Sequence, residues 1–179
     1  IMDVPTYHKV LFVTDGAINI APTLEDKVDI CQNAIDLAIS LGREKPKVAI
    51  LAAVETATSK MPATIDAAAL CKMAERGQIK GGILDGPLAF DNAISAQAAE
   101  IKGIQSSVAG DPDILLAPDL ESGNILAKQL SFLPNADSAG MVLGARVPVV
   151  LTSRADSVRS RIASCAVAML VAHARRAKP

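Results

Sequence analysis

The sequence predicts an α/β fold with a parallel-rich sheet and helices on both faces, and three observations lead there. Val48 to Val54 is an apolar run without alternation, as a strand covered on both faces requires. Strand, loop and helix patterns then alternate along the chain. With no Trp, one Tyr and three Phe among 50% hydrophobic residues, the core must be aliphatic, which suits helices packed closely on a sheet better than a β-sandwich.

The first strand pattern, Lys9 to Thr14, ends in Asp15-Gly16. Thr23 followed by Asp26 resembles a capping box, so a helix should start there; Val28, Cys31, Ile35, Ala38 and Leu41 keep its period, and Gly42 supplies a stop. The loop Glu55 to Ser59 follows the Val48–Val54 strand, and a helix from Pro62 to Arg76 carries Pro in its first turn and Gly77 beyond its last. A short strand, Gly81 to Leu84, runs into the Asp85-Gly86-Pro87 turn, and Asp91 should cap an Ala-rich helix from Asn92 to Ile101. Next come a strand at Asp113–Ala117, a helix at Asp119–Leu133, a strand at Ala139–Leu143, a buried strand at Val147–Leu151 and an apolar helix from Val158 to Ala174.

The net charge of −1, with both signs interspersed, leaves no basic face for nucleic acid or an anionic membrane. The uncharged run Ile162 to Ala174 is too short to cross a bilayer and reads as a buried helix. Cys31, Cys71 and Cys165 are far apart and odd in number, which suggests neither a disulfide framework nor a zinc site and fits a reducing cytoplasm. No signal segment opens the chain, and Ile1-Met2-Asp3-Val4-Pro5 does not look like a natural start, so a fragment is expected.

Chemistry concentrates in Val147 to Arg161. If Val147–Leu151 is a buried strand, Ser153 and Arg154 stand at its carboxyl end, where open α/β sheets place ligands. Asp156 or Ser157 would cap the next helix, whose free N–H groups add to the Arg154 guanidinium as an anion site. The plain alternative is that Ser153 ends a strand and Arg154 is a solvated surface residue.

Thr152-Ser153-Arg154-Ala155-Asp156-Ser157, together with Pro118 to Ile125 (Pro-Asp-Leu-Glu-Ser-Gly-Asn-Ile) and Asp15 to Pro22 (Asp-Gly-Ala-Ile-Asn-Ile-Ala-Pro), resembles the phosphate acetyl/butyryltransferase family, with the three motifs in that family's order. The resemblance implies a two-domain layout like that of isocitrate and isopropylmalate dehydrogenases. Residues 1–146 would be the second domain and residues 147–179 the strand and helix returning to the first, with the N-terminal half missing. It also implies acyl transfer between coenzyme A, as a substrate, and inorganic phosphate, with no permanently bound cofactor and no metal, in a homodimer paired through the second domain.

That reaction needs positioned phosphate, a stabilised oxyanion and a proton relay for the coenzyme A sulfur. In the acetyl-transferring relatives the Ser-Arg pair takes the first two roles, which assigns them here to Ser153 and Arg154 as catalytic residues. A guanidinium grips phosphate with paired donors, so lysine should replace Arg154 poorly. Those relatives carry an aspartate base seven positions past the serine, but this sequence has Ser160 there, a hydroxyl too weakly basic at pH 7. Either Asp156 takes over as the third catalytic residue, or another group serves, or the thiolate leaves unaided; Ser160 is left as a substrate contact. The Ser-Arg-Ala-Asp wording is closer to the butyryl-transferring branch, which favours an acyl group larger than acetyl.

Asn124 and Lys128 match the relatives' Gly-Asn-Ile motif and are expected to bind substrate, while Asn124 reads equally well as a first-turn residue that holds the loop. Asp15 and Asn19 read first as turn formers, Asp85 and Asp91 as turn former and helix cap rather than metal ligands, and His8 and His173 lack partners at ligand spacing, His173 lying in a core helix pattern. Two competing functions remain open. One is an NAD- and metal-dependent oxidoreductase of the same layout, against which stand the missing Gly-rich fingerprint and carboxylate cluster. The other is a non-catalytic, dimerising coenzyme A-binding module.

Overall fold

Four parallel strands form the middle of the protein in a computed structural model that describes residues 1–177. In chain order the first elements are β1 (Met2–Asp3), β2 (Phe12–Thr14), α1 (Leu24–Ser40), β3 (Lys47–Leu51), α2 (Pro62–Glu75), β4 (Ile83–Leu88) and α3 (Phe90–Ile94). They continue with α4 (Ala96–Ile101), β5 (Ile114–Leu116), α5 (Leu120–Phe132), β6 (Asp137–Ser138), β7 (Met141–Val142), β8 (Val149–Val150) and α6 (Val158–Ala177). The central sheet runs β2-β5-β3-β4, every neighbouring pair parallel.

Both faces of that sheet are covered, as its unalternating strands require. Val48, Ile50, Ile114 and Leu116 pack with Phe12 against Ala34, Ile35 and Ala38 of α1 and Ala67 and Leu70 of α2. Their neighbours Ala49, Leu51 and Leu115 face the other way, towards Ala93 of α3 and Leu126 and Leu130 of α5. At the amino ends of the strands, Asp111 binds His8, Lys9 and Lys47, and Lys9 also reaches Asp113, so one carboxylate cluster ties the starts of three sheet segments together.

The expected capping box closes α1: Thr23 Oγ1 accepts from the Asp26 N–H at 3.2 Å, and Asp26 Oδ2 accepts from the Thr23 N–H at 2.9 Å. Three local expectations change. The Asp85-Gly86-Pro87 segment is strand, not turn, because Gly86 lets β4 approach Ile50 of β3 so closely that a Cβ would lie 2.8 Å from the Ile50 Cβ. The helix expected over Asn92–Ile101 divides at Ser95, whose Oγ accepts from the Ala98 N–H and restarts the chain as α4. Asp91 lies inside α3 and Ala89 is the N-cap, so Asp91 does not cap that helix.

The largest correction concerns the end of the chain. Val147–Leu151 is not a buried strand: only Val149–Val150 is strand, paired antiparallel with β7, and Val147 (64%), Val149 and Val150 are exposed. Helix α6 is not buried either. Val167 and Val171 dock on the α1 side of the core, while Val158 (73%), Ile162 (64%), Met169 (72%) and Leu170 stay exposed, and His173 is exposed rather than in the core. The apolar period along this helix is real, but among the described residues nothing covers most of that face.

A candidate active site at the end of β2

Thr14 ends β2, and Asp15 immediately turns the chain. Its Oδ1 accepts from the Ala17 and Ile18 N–H groups and its Oδ2 from the Asn19 N–H and Asn19 Nδ2, at 2.8 to 3.1 Å. Partial burial would raise the Asp15 pKa, but these donors outweigh it and hold the carboxyl below its ordinary range. Four donors on one carboxylate make Asp15 the builder of the loop, which confirms its turn-forming role.

The loop is pinned to the start of α5. Asp119 caps that helix by accepting from the Ser122 N–H at 2.8 Å, and Asn124 Nδ2 donates to the Gly16 carbonyl at 2.9 Å. Gly123 faces the Asp15 carbonyl so closely that any Cβ would collide with it. Of the two readings of Asn124, its amide nitrogen takes the loop-holding one, and the residue also borders the cavity described next.

Between this loop, α1, α5 and the chain's last third lies a cavity of about 620 Å³. One helix side of α5 lines it with Asn124, Ala127, Lys128 and Ser131. Asp26, Asp29, Ile30, Asn33, Ala34 and Leu37 line it from α1, at the spacing of a single helix stripe. Ser153 and Asp156 reach it from the segment after β8. The site therefore opens at the carboxyl end of β2, beside that of β5, where an open α/β sheet places a ligand.

Asp156 Oδ2 accepts from the Ser153 N–H at 2.6 Å, and Ser153 Oγ accepts from the Ala155 N–H at 3.3 Å. These bonds fold residues 153–156 into a tight turn and leave the Ser153 hydroxyl hydrogen available. Ser157, rather than Asp156, caps α6: its Oγ accepts from the Ser160 N–H at 3.1 Å. Ser160 turns its Oγ to Ser157 and Ser138 and does not border the cavity.

Arg154 is exposed, its carbonyl accepts from Arg161 Nη2, and its side chain is not among those bordering the cavity. Of the residues singled out by sequence, Ser153, Asp156, Asn124 and Lys128 come together here; Arg154 and Ser160 do not. Spacing along the chain missed the wall contributed by α1. The signal lay in Asp26, Asp29, Asn33 and Leu37 sharing one helix face with the core residues, with polar side chains at one end of the stripe.

A second cavity, of about 760 Å³, lies across α5 from the first and is bordered by Met61, Phe90, Leu126, Leu130 and Leu133. It is larger, but it holds none of the motif side chains apart from Pro118, Asp119 and Ser122, and Asp119 and Ser122 are engaged in capping α5. Among the described residues no group of three or more His, Cys, Asp or Glu side chains is placed to hold a metal ion.

A family model described as phosphate acetyl/butaryl transferase matches residues 1–169. Among curated proteins, a phosphate acetyltransferase of Rhizobium meliloti is 68% identical over 177 residues, covering 99% of this chain and 56% of that protein. A phosphate butyryltransferase of Clostridium acetobutylicum is 46% identical, over 96% of this chain and 57% of that protein. Among solved structures, a branched-chain phosphotransacylase from Enterococcus faecalis superimposes with a TM-score of 0.86 at 37% identity, covering 96% of this chain and 61% of that one. The chain thus spans about half the length of the curated relatives it matches.

Proposed function

Since the chain belongs to the phosphate acetyl/butaryl transferase family, we propose that the protein transfers an acyl group between coenzyme A and inorganic phosphate. A phosphate oxygen attacks the thioester carbon and the carbonyl electrons move onto oxygen. When the tetrahedral species collapses, the C–S bond breaks, coenzyme A leaves as its thiolate, and acyl phosphate remains. The observation that supports this reading is the meeting of Ser153, Asp156, Asn124 and Lys128 on one cavity although they lie in two distant motifs.

The roles follow from chemistry. Ser153 Oγ donates its free hydrogen to the developing oxyanion, the kind of contact worth a few kcal/mol in acyl transfer. Asp156, held by the Ser153 N–H through Oδ2, keeps Oδ1 for the proton that coenzyme A loses or regains at sulfur. Lys128 offers a cation to phosphate, and the carbonyl end of the Asn124 amide remains for substrate once its nitrogen holds Gly16. Arg154, standing outside the cavity, is given no step.

Charge argues for help from outside the chain. Among the described residues, four carboxylates (Asp15, Asp26, Asp29 and Asp156) border the cavity against one cationic side chain, Lys128, a poor balance for phosphate and the anionic coenzyme A. We therefore assign further cations to a second α/β domain in an isocitrate dehydrogenase-like layout, against which residues 147–179 pack while residues 1–146 form this one. The exposed apolar faces of β8 and α6 support that division. A cytoplasmic homodimer, with neither nucleic acid nor membrane as partner, completes the reading.

Thiol release from acetyl- or butyryl-CoA that requires phosphate tests it. Ser153→Ala should lower kcat by about a hundredfold with little change in KM, and Lys128→Met should raise KM for phosphate. No phosphate-dependent release by the full-length protein would refute the proposal.

A further inference from the structure

Asp29 and Asn33 stand one turn apart on the stripe of α1 that borders the cavity, about 6 Å along the axis at the rise of an α-helix. Elsewhere on that helix Asp26 is held by Thr23, Lys27 by Asp66, and Gln32 by Asp36 and the Lys80 carbonyl. Among the described residues Asp29 and Asn33 take part in no hydrogen bond or ion pair. Asn33 lies instead against a glycine. Gly144 has φ +80°, and a Cβ on it would stand 3.2 Å from Asn33 Nδ2, so both the backbone and the amide require glycine there. The same loop is fastened to α6 by Arg175 Nη1, which donates to the Ala145 carbonyl at 3.0 Å. This loop supports the amide without engaging it. Donor and acceptor both remain for a molecule in the cavity, and because Asn33 is half-buried, leaving them unfilled is costly.

Charge decides which part of a substrate meets this wall. Asp26 and Asp29 make the α1 side acidic, whereas the cation Lys128 lies on α5. A phosphate dianion is drawn to Lys128 and repelled from Asp29, so α1 faces an uncharged segment. Coenzyme A has one: the pantetheine arm that joins its anionic nucleotide to the sulfur carries two amides and no charge. An asparagine amide both donates and accepts, as the amides of that arm do. We propose that Asn33 binds the pantetheine arm of coenzyme A, Nδ2 donating to one amide carbonyl and Oδ1 accepting from the N–H of the other amide. This rests on the acyl-transfer reading above and adds to it a binding residue that lies in none of the three motifs. With the arm held on α1, the sulfur is free to reach Ser153 and Asp156, which border the same cavity.

The experiment titrates the full-length protein calorimetrically with coenzyme A, with pantetheine and with adenosine 3′,5′-bisphosphate, for wild type and for Asn33→Leu, which keeps the size and removes both hydrogen-bonding ends. Asn33→Leu should weaken coenzyme A and pantetheine alike, by about tenfold, the scale of one or two net hydrogen bonds. Adenosine 3′,5′-bisphosphate, which lacks the arm, should bind as to wild type. In turnover, KM for acetyl-CoA should rise by a similar factor and KM for phosphate should not. Pantetheine that binds the folded variant as well as wild type, or does not bind wild type at all, would overturn the proposal. So would an equal loss for the bisphosphate, or a fall in kcat with unmoved Kd values, which would put Asn33 at the reacting carbonyl instead. Should Asn33→Leu fail to fold, Asn33→Ala decides by the same ratios. Wild-type turnover with unmoved Kd values in the variant removes only the Asn33 contact, whereas no phosphate-dependent turnover of any acyl-CoA by wild type removes the acyl-transfer reading with it.

Discussion

Helices α1 and α6 are both rich in aliphatic residues at helical spacing, yet the structure treats them oppositely. Cys31, Ala34, Ile35, Leu37 and Ala38 of α1 are buried against the sheet, while of α6 only Ser164 and Val171 are buried. The difference lies in what each has to pack on. Helix α1 follows β2 directly and lies over a finished parallel sheet, whereas α6 follows a two-residue strand paired only with β7. An apolar stripe thus records that a face is built to be covered, and the partner decides whether it is.

The sharpest way to test this contrast is to truncate one residue from each region. Leu70, fully buried between α2 and the sheet, should lose about 3 kcal/mol of unfolding free energy on Leu70→Ala, the usual scale for a cavity in a packed core. Ile162→Ser on α6 should change it by less than about 0.5 kcal/mol, since the side chain is 64% exposed. Urea denaturation of the 179-residue chain measures both. A comparable loss from Ile162→Ser would mean that the α6 face is already covered, by a second copy for instance.

Gly123 sits where the sheet region meets the site, and Gly123→Ala drives a methyl into the Asp15 carbonyl. Because backbone meets backbone there, the neighbour cannot swing aside; the expected loss is about 1–3 kcal/mol together with a displaced Asp15–Asn19 loop. Crystallography of the variant, or chemical-shift changes confined to residues 14–19 and 119–124, would check the displacement. Wild-type stability with an unmoved loop would contradict it.

The smallest effect is set by pH at the far end of the sheet. Partial burial would raise the Asp111 pKa, but Lys47, Lys9 and His8 outweigh it and hold the carboxyl well below the usual range. A depressed folded pKa gives stability that is complete above the unfolded carboxylate pKa and is lost as pH falls towards the folded one. Asp111 is 43% exposed, so solvent screening keeps the contribution below about 1 kcal/mol. Asp111→Asn should therefore lower stability at pH 7 slightly and flatten its fall below about pH 5, read from unfolding midpoints across pH. An unchanged acid slope would show that the network contributes nothing there.

Much of this architecture is legible in local chemistry. The Thr23–Asp26 box, the Asp119 cap and the unalternating run at Val48 each act within a few residues, so their outcome needs no knowledge of the rest of the chain. Asp85-Gly86-Pro87 misleads because its turn-like composition serves a close strand crossing against Ile50, a contact between segments far apart in sequence. The surroundings of Arg154 are likewise set by distant segments. Its place beside Ser153 follows from the chain, but the direction of its side chain depends on whether β8 joins the main sheet, and β8 pairs with β7 instead.

The sequence by itself determined the order of the central strands and of the helices between them, the caps at Thr23 and Asp119, the turn built by Asp15 and the kinship carried by the three motifs, because each depends on neighbouring residues or on residue identity. Only the tertiary structure decided that Asn124, Lys128, Ser153 and Asp156 share a cavity with a stripe of α1, that Arg154 and Ser160 stand outside it, and that the last helix leaves its apolar face open. Those outcomes depend on which distant surfaces meet, and hydrophobic periodicity fixes the face a helix wants to bury without naming the surface that will bury it.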